Sequence, residues 1–165
     1  MKLKYISWLP AVIIMVIIFC FSSTPATTSG ESSLMISQTL LNAYEHITDL
    51  SYGESARQQV LLELDHIVRK TAHFIEYAFL AAAWVLHFMV RGKGFRIGAG
   101  LSIFITSAYA ATDEFHQTFV AGRSGQISDV LLDSCGAVTG ALFFLSLIVI
   151  IKKLRNKHTG TKMPQ

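Results

Sequence analysis

The sequence predicts an all-α polytopic membrane bundle of four transmembrane helices, with a partly helical extracytoplasmic segment between the first and the second. Three observations carry this prediction. The 165 residues are 52% hydrophobic and only 15% charged, with a mean hydropathy of +0.45, against about 25% charged residues in an ordinary soluble domain. The apolar residues gather into four runs of membrane-spanning length or close to it. Ten of the 14 Lys and Arg residues fall in three stretches that contain no Asp or Glu: Lys2 and Lys4; Arg91, Lys93 and Arg96; and Lys152, Lys153, Arg155, Lys157 and Lys162. Bases sequestered at alternate ends of apolar runs follow the positive-inside rule and set the orientation. Both termini are therefore expected in the cytoplasm, and one membrane domain accounts for residues 1–165. The net charge of +3 does not point to nucleic acid, because these bases sit where anionic inner-leaflet lipid attracts them.

The first span is expected over residues 5–21. A signal peptide begins in the same way, but a run of this length, followed by Ser22-Ser23-Thr24-Pro25, favours an uncleaved helix. Ile17-Ile18-Phe19-Cys20 matches a lipobox only loosely, and Pro10 introduces a tolerated kink. The second span is expected over 73–90, the third over 97–112 and the fourth over 130–151. Cys20 and Cys135 lie within apolar runs and read as small packing residues. Gly136-x-x-x-Gly140 in the fourth span, Gly98, Gly100 and Ser102 in the third, and Ala81 to Ala83 in the second let helix backbones approach closely. Such a face serves contacts within one chain or between copies, so a homo-oligomer through Gly136 and Gly140 is one reading.

The outer segment, 22–72, carries six acids against Arg57, Arg69 and Lys70. Leu34, Leu40, Leu41, Tyr44 and Ile47 share one broad helical face. Leu61, Leu64, Ile67 and Val68 share another, after the turn Ser51-Tyr52-Gly53. Two amphipathic helices lying on the outer surface are expected.

The polar residues of the spans converge at one depth. His73, Glu76 and Tyr77 occupy one face of the second helix at i, i+3 and i+4. A charge at the bilayer centre costs about 2.5–3.5 kcal/mol, so an intramembrane Glu is a functional candidate that seeks a partner in His73, Lys70 or Arg123. The third span ends on Asp113, Glu114, His116 and Gln117, where acids oppose the helix dipole and need compensation. Arg123 follows in a glycine-flanked loop. Asp129 opens the fourth span, where Ser128 is placed to cap, and Asp133 lies one turn deeper. Each has a bland alternative: Asp129 as a favourable helix-start charge, Arg123 as a partner of lipid phosphate, His116 as a loop residue, Tyr77 as a packed aromatic. Together they predict a polar pocket at the outer ends of spans two to four.

Lys70-Thr-Ala-His73-Phe-Ile-Glu76-Tyr77, then Asp113-Glu114-x-x-Gln117-x-Phe119-x-x-Gly122-Arg123, then Asp129 with Gly136 and Gly140, resembles the VanZ-like membrane family. The Phe21-Ser22-Ser23 exit from the first span is similar too. One position departs: Asp133 stands where that family more often carries Asn. The resemblance covers nearly the whole chain. It implies a small polytopic protein of the bacterial cytoplasmic membrane, similar in type to a protein linked to low-level teicoplanin resistance. It implies no agreed biochemical mechanism.

Three functions compete. One is a membrane factor that alters how the cell surface meets glycopeptide antibiotics. The second is an intramembrane enzyme acting on a lipid-linked headgroup of a cell-envelope precursor. His73 and His116 would then be acid and base, and Glu76, Asp113 and Glu114 their carboxylate partners. Lys70, Tyr77, Gln117, Arg123, Asp129 and Asp133 would bind substrate, with Arg123 gripping a phosphate bidentately. The third is a carrier using Glu76, weakened by the absence of an internal repeat. Membrane lipid is the partner common to all three. No Gly-rich phosphate loop, nucleophile elbow or dinucleotide fingerprint is present, and no cofactor is expected. His73-x-x-Glu76 has helix-compatible ligand spacing, but two well-placed histidines without a dedicated cage predict no metal.

Overall fold

A computed structural model describes residues 3–159, so Lys2 and Lys162 lie outside the described residues. Six helices follow one another: α1 (Leu3–Ile6), α2 (Leu9–Ser22), α3 (Ala26–Thr48), α4 (Glu54–Val90), α5 (Phe95–Gln117) and α6 (Ile127–Thr159). There is no strand among the described residues. Among the described residues, three stretches are long and apolar enough to cross a membrane: Lys4–Ser22, Glu54–Val90 and Ile127–Arg155. At 23 residues α5 is long enough, but its composition keeps it out of that set.

The reason lies on one face of α5. Gly98, Ser102, Thr106, Ala110, Asp113 and Gln117 are buried, and they follow one another at helical spacing. The inward stripe of α5 is small and polar, which lowers the hydropathy of the whole helix. Its outward residues Ile97, Leu101 and Phe104 are apolar and exposed.

α4 is the central helix. One side of it packs with α2 and α5 around Ala11, Ile18, Tyr77, Leu80, Ala83 and Ala110. The other side packs on α6 around Ala81, Val85, Ala137, Ala141 and Leu145. The α4–α6 approach is set by two glycines. A Cβ at Gly136 would lie 2.4 Å from the Phe74 carbonyl oxygen, and one at Gly140 would lie 2.0 Å from that of Ala78. The small-residue face of α6 is thus engaged by α4 of the same chain. Tyr109 ties α5 to α2 by donating to the Met15 carbonyl at 2.7 Å.

Two expectations need correction. The outer segment is not a pair of separate amphipathic helices lying on the outer surface. Its first part is α3, but its second part is the beginning of α4, which runs without a break for 37 residues, about 55 Å at 1.5 Å per residue. The helix continues through Arg69-Lys70, since both are good helix formers; Arg69 pairs with Asp65 at 3.1 Å and Lys70 with Asp129. α3 packs on this extension through Ser33, Ser37 and Leu41, and the hairpin tip is held by Arg57, which reaches Glu45 at 3.3 Å and Asn42 at 2.5 Å. Leu40, Tyr44 and Ile47 of the expected apolar face remain exposed. The second correction concerns the cysteines. Cys20 and Cys135 are exposed on outward helix faces rather than packed.

Candidate functional site

The polar groups gather where the hairpin meets the bundle. Each is placed by its helix phase. His73, Glu76 and Tyr77 project from one face of α4: the first two are half-buried, and Tyr77 is fully buried. Asp113, Glu114 and Gln117 are buried at the end of α5, and Asp133 is completely enclosed on α6.

Of the two acids ending α5, Glu114 finds its compensation at the start of α6. One Glu114 carboxylate oxygen accepts the backbone N–H of Gln126, the residue before α6, at 3.0 Å. Glu114 is unfavourable at the C-terminus of its own helix and favourable at the N-terminus of the next. This close approach needs Gly125, where a Cβ would lie 2.2 Å from the Glu114 carbonyl oxygen. Ser128 does not cap α6; its hydroxyl lies 3.3 Å from the side chains of Gln126 and Asp129. Asp113 accepts from Gln117 Nε2 at 3.3 Å with one oxygen, and its other oxygen is buried without a partner.

Lys70 of α4 and Asp129 of α6 form an ion pair one turn above His73. The charges acting on His73 are those of Asp113, Arg123, Asp129 and Lys70. Those acting on Glu76 are Asp113 and Arg123, and Asp133 feels Glu114, Asp129, Asp113 and Glu76. The structure therefore brings together His73, Glu76, Tyr77, Asp113, Glu114, Asp129 and Asp133 from three helices. Glu76 makes neither a hydrogen bond nor an ion pair among the described residues, so the pairing expected with His73, Lys70 or Arg123 does not occur. Asp133 has both carboxylate oxygens buried without a partner, and the Tyr77 hydroxyl, near Asp113, meets no partner in hydrogen-bond geometry.

Two expected members are deployed elsewhere. Arg123 turns to α2, where Nε donates to the Thr24 carbonyl at 3.0 Å and Nη2 to the Phe21 carbonyl at 3.2 Å. Its fork caps the end of a helix, a satisfying partner for orphan carbonyls, and is not open to grip a phosphate bidentately. Burial lowers this guanidinium from its ordinary value, against the pull of Asp113 and Glu114. His116 also turns to α2, with its ring 4.8 Å from that of Phe19 and its Nδ1 buried without a partner. Among the described residues, no three His, Cys, Asp or Glu side chains are grouped as metal ligands.

Sequence reasoning missed Thr106 and Tyr109. Thr106 is fully buried with an unpartnered hydroxyl, and Tyr109 faces Tyr77 at 6.3 Å between ring centroids. Both lie on the Asp113 face of α5, at i−7 and i−4, so a helical projection from Asp113 was the available signal.

No curated protein and no solved structure matches the chain. The model of the VanZ/LLP1 family matches residues 7–151, a stretch that contains every residue of the cluster. The chain belongs to the VanZ/LLP1 family.

Proposed function

We propose that this protein crosses the bacterial cytoplasmic membrane four times, with both termini in the cytoplasm, and alters how the cell surface meets glycopeptide antibiotics such as teicoplanin. Family membership supports the second half of this reading. The sequestered bases support the orientation, and the apolar exposed face of α5 supports its role as the third of four spans. The polar cluster is the part of the molecule through which it acts. The observation that carries this is Glu76: a half-buried carboxylate on a candidate span, held among other charges yet bonded to none. A group fixed by structural pairing would have a partner; this one is left available.

The test is Glu76→Gln. Gln keeps the size and the capacity to hydrogen-bond while removing the charge. Because Glu76 holds no partner, the variant should reach the membrane at wild-type abundance and lose the resistance phenotype. The measurement is quantitative immunoblotting of membranes beside teicoplanin susceptibility, in a strain whose resistance depends on the protein. Normal abundance with normal resistance would remove Glu76 from the function.

A second reading is an intramembrane enzyme acting on a lipid-linked headgroup at the outer leaflet. The unpartnered Nδ1 of His73 favours it, since a proton-handling group must keep a free nitrogen. In that reading His73 and Glu76 handle protons. His116 lies on the far side against Phe19, and Arg123 positions α2 rather than substrate.

A further inference from the structure

A groove outside the cluster lies on the surface between α4 and α6. It encloses about 330 Å³ and is lined by His66, Ile67, Lys70, Thr71, Phe74 and Leu132. Its chemistry changes along its length. His66, Lys70 and Thr71 lie at the hairpin end. Phe74 and Leu132 lie deeper, Phe74 about 12 Å along α4 from His66 at 1.5 Å per residue. Ile67 adds an apolar side chain at the hairpin end, and with α4 entering the membrane near His73, as proposed above, the groove straddles the boundary between water and hydrocarbon.

The polar end holds spare donors. Lys70 has three N–H groups and spends one on Asp129. Neither the His66 ring nor the Thr71 hydroxyl makes a hydrogen bond in the structure, and both residues are exposed. Three donor-bearing residues thus line one groove, and one of them carries a positive charge that it shares with Asp129. Below them Phe74 and Leu132 offer only hydrocarbon, to which water gives nothing and an acyl chain gives contact. A ligand that satisfies both ends carries an anionic phosphate on a long apolar chain.

We propose that the α4–α6 groove binds one phospholipid of the leaflet beside the hairpin, with its phosphate on His66, Lys70 and Thr71 and an acyl chain along Phe74 and Leu132. The site is separate from the antibiotic reading and needs only that the chain sit in a membrane. Lys70 links the two regions, since its pairing with Asp129 closes the cluster from above.

The experiment uses the full chain in a mild detergent and counts ligands retained in native mass spectra. The probes are phosphatidylglycerol, diacylglycerol and glycerol phosphate, titrated separately. Wild-type protein should retain one phosphatidylglycerol and neither of the others at matched concentration. The double variant His66→Ala/Thr71→Ala removes two exposed donors, lies outside the proposed functional residues and should weaken retention about tenfold, the loss of two modest polar contacts. Leu132→Trp fills the apolar end and should weaken retention as well. His46→Ala, at the far end of α3, should leave retention unchanged. Equal retention by wild type, the double variant and Leu132→Trp overturns the proposal. Retention of diacylglycerol at the phospholipid level shows an unspecific apolar surface, and retention of glycerol phosphate alone shows a free-phosphate site; either also overturns it. Unchanged thermal unfolding of the variants confirms that lost retention is lost binding.

Discussion

Gly136 and Gly140 are the residues on which the bundle is most narrowly balanced. In lipid, apolar side chains gain little by leaving the tails, so helices associate by close packing. Here the packing brings α6 against backbone carbonyls of α4, which cannot rotate away as a side chain can. Gly140→Ala should therefore lower stability by about 1–3 kcal/mol, the cost of overpacking a close contact. Gly100→Ala is the matched comparison, with open space around its Cβ. There the better helix propensity of Ala should leave stability unchanged or raise it by up to about 1 kcal/mol. Thermal unfolding in detergent distinguishes the two, and equal effects would mean that the α4–α6 contact is looser than described. At this scale the sequence was a partial guide. It marked the glycines, Glu76, Asp113 and Asp133 by their chemistry. It could not show that Arg123 would spend its donors on Phe21 and Thr24, because a capped carbonyl leaves no trace in residue identity.

The helices were legible where hydrophobic period and turn residues agreed, as in α3, α5 and α6. They were misread at the start of α4. An apolar patch, two bases and then a span look like two elements, but Arg and Lys are good helix formers and their pairing with Asp65 and Asp129 is consistent with one continuous helix. The polar inner stripe of α5 lowers its mean hydropathy, yet its apolar run sufficed for a helix to be expected over 97–112, shorter than the observed Phe95–Gln117. One strained residue also belongs to this scale. Asp49 ends α3 with φ 56° and ψ 24°, the left-handed geometry that costs an L-residue about 1–2 kcal/mol. Asp49→Gly relieves that strain, offset by the freedom that Gly adds to the unfolded chain. The net expectation is a gain of about 0.5–1 kcal/mol in the α3–α4 hairpin. Slower amide hydrogen exchange across residues 26–48 would show it, whereas faster exchange there would mean that the Asp side chain itself holds the turn.

The whole molecule is asymmetric from end to end. A bundle of four helices carries on one side a two-helix arm that rises about 28 Å, the length of the nineteen α4 residues before His73 at 1.5 Å each. With the proposed orientation that arm stands outside the cell. Alkaline phosphatase joined after Gly53 should be active and joined after Lys153 inactive; activity at both junctions, or the reverse, refutes the four-span orientation without touching the phospholipid site.

The clasp between Arg123 and the end of α2 has a consequence in time. The carbonyls of Phe21 and Thr24 receive their donors from a residue 102 and 99 positions later in the chain. At a synthesis rate of about 5–20 residues per second, the first helix waits roughly 5–20 s for its cap. During that interval the Phe21 carbonyl has the local Thr24 N–H, at 3.1 Å, as its donor, and the Thr24 carbonyl waits for Arg123. The same loop carries Gly125 and Gln126, through which Glu114 meets the start of α6. The clasp and the α6 contact of Glu114 therefore arrive together and late. A chain halted before Arg123 already holds the residues that join α2 to α5 through Tyr109 and Met15 and that pack α2, α4 and α5 together, but it lacks the clasp on α2 and the α6 side of the site.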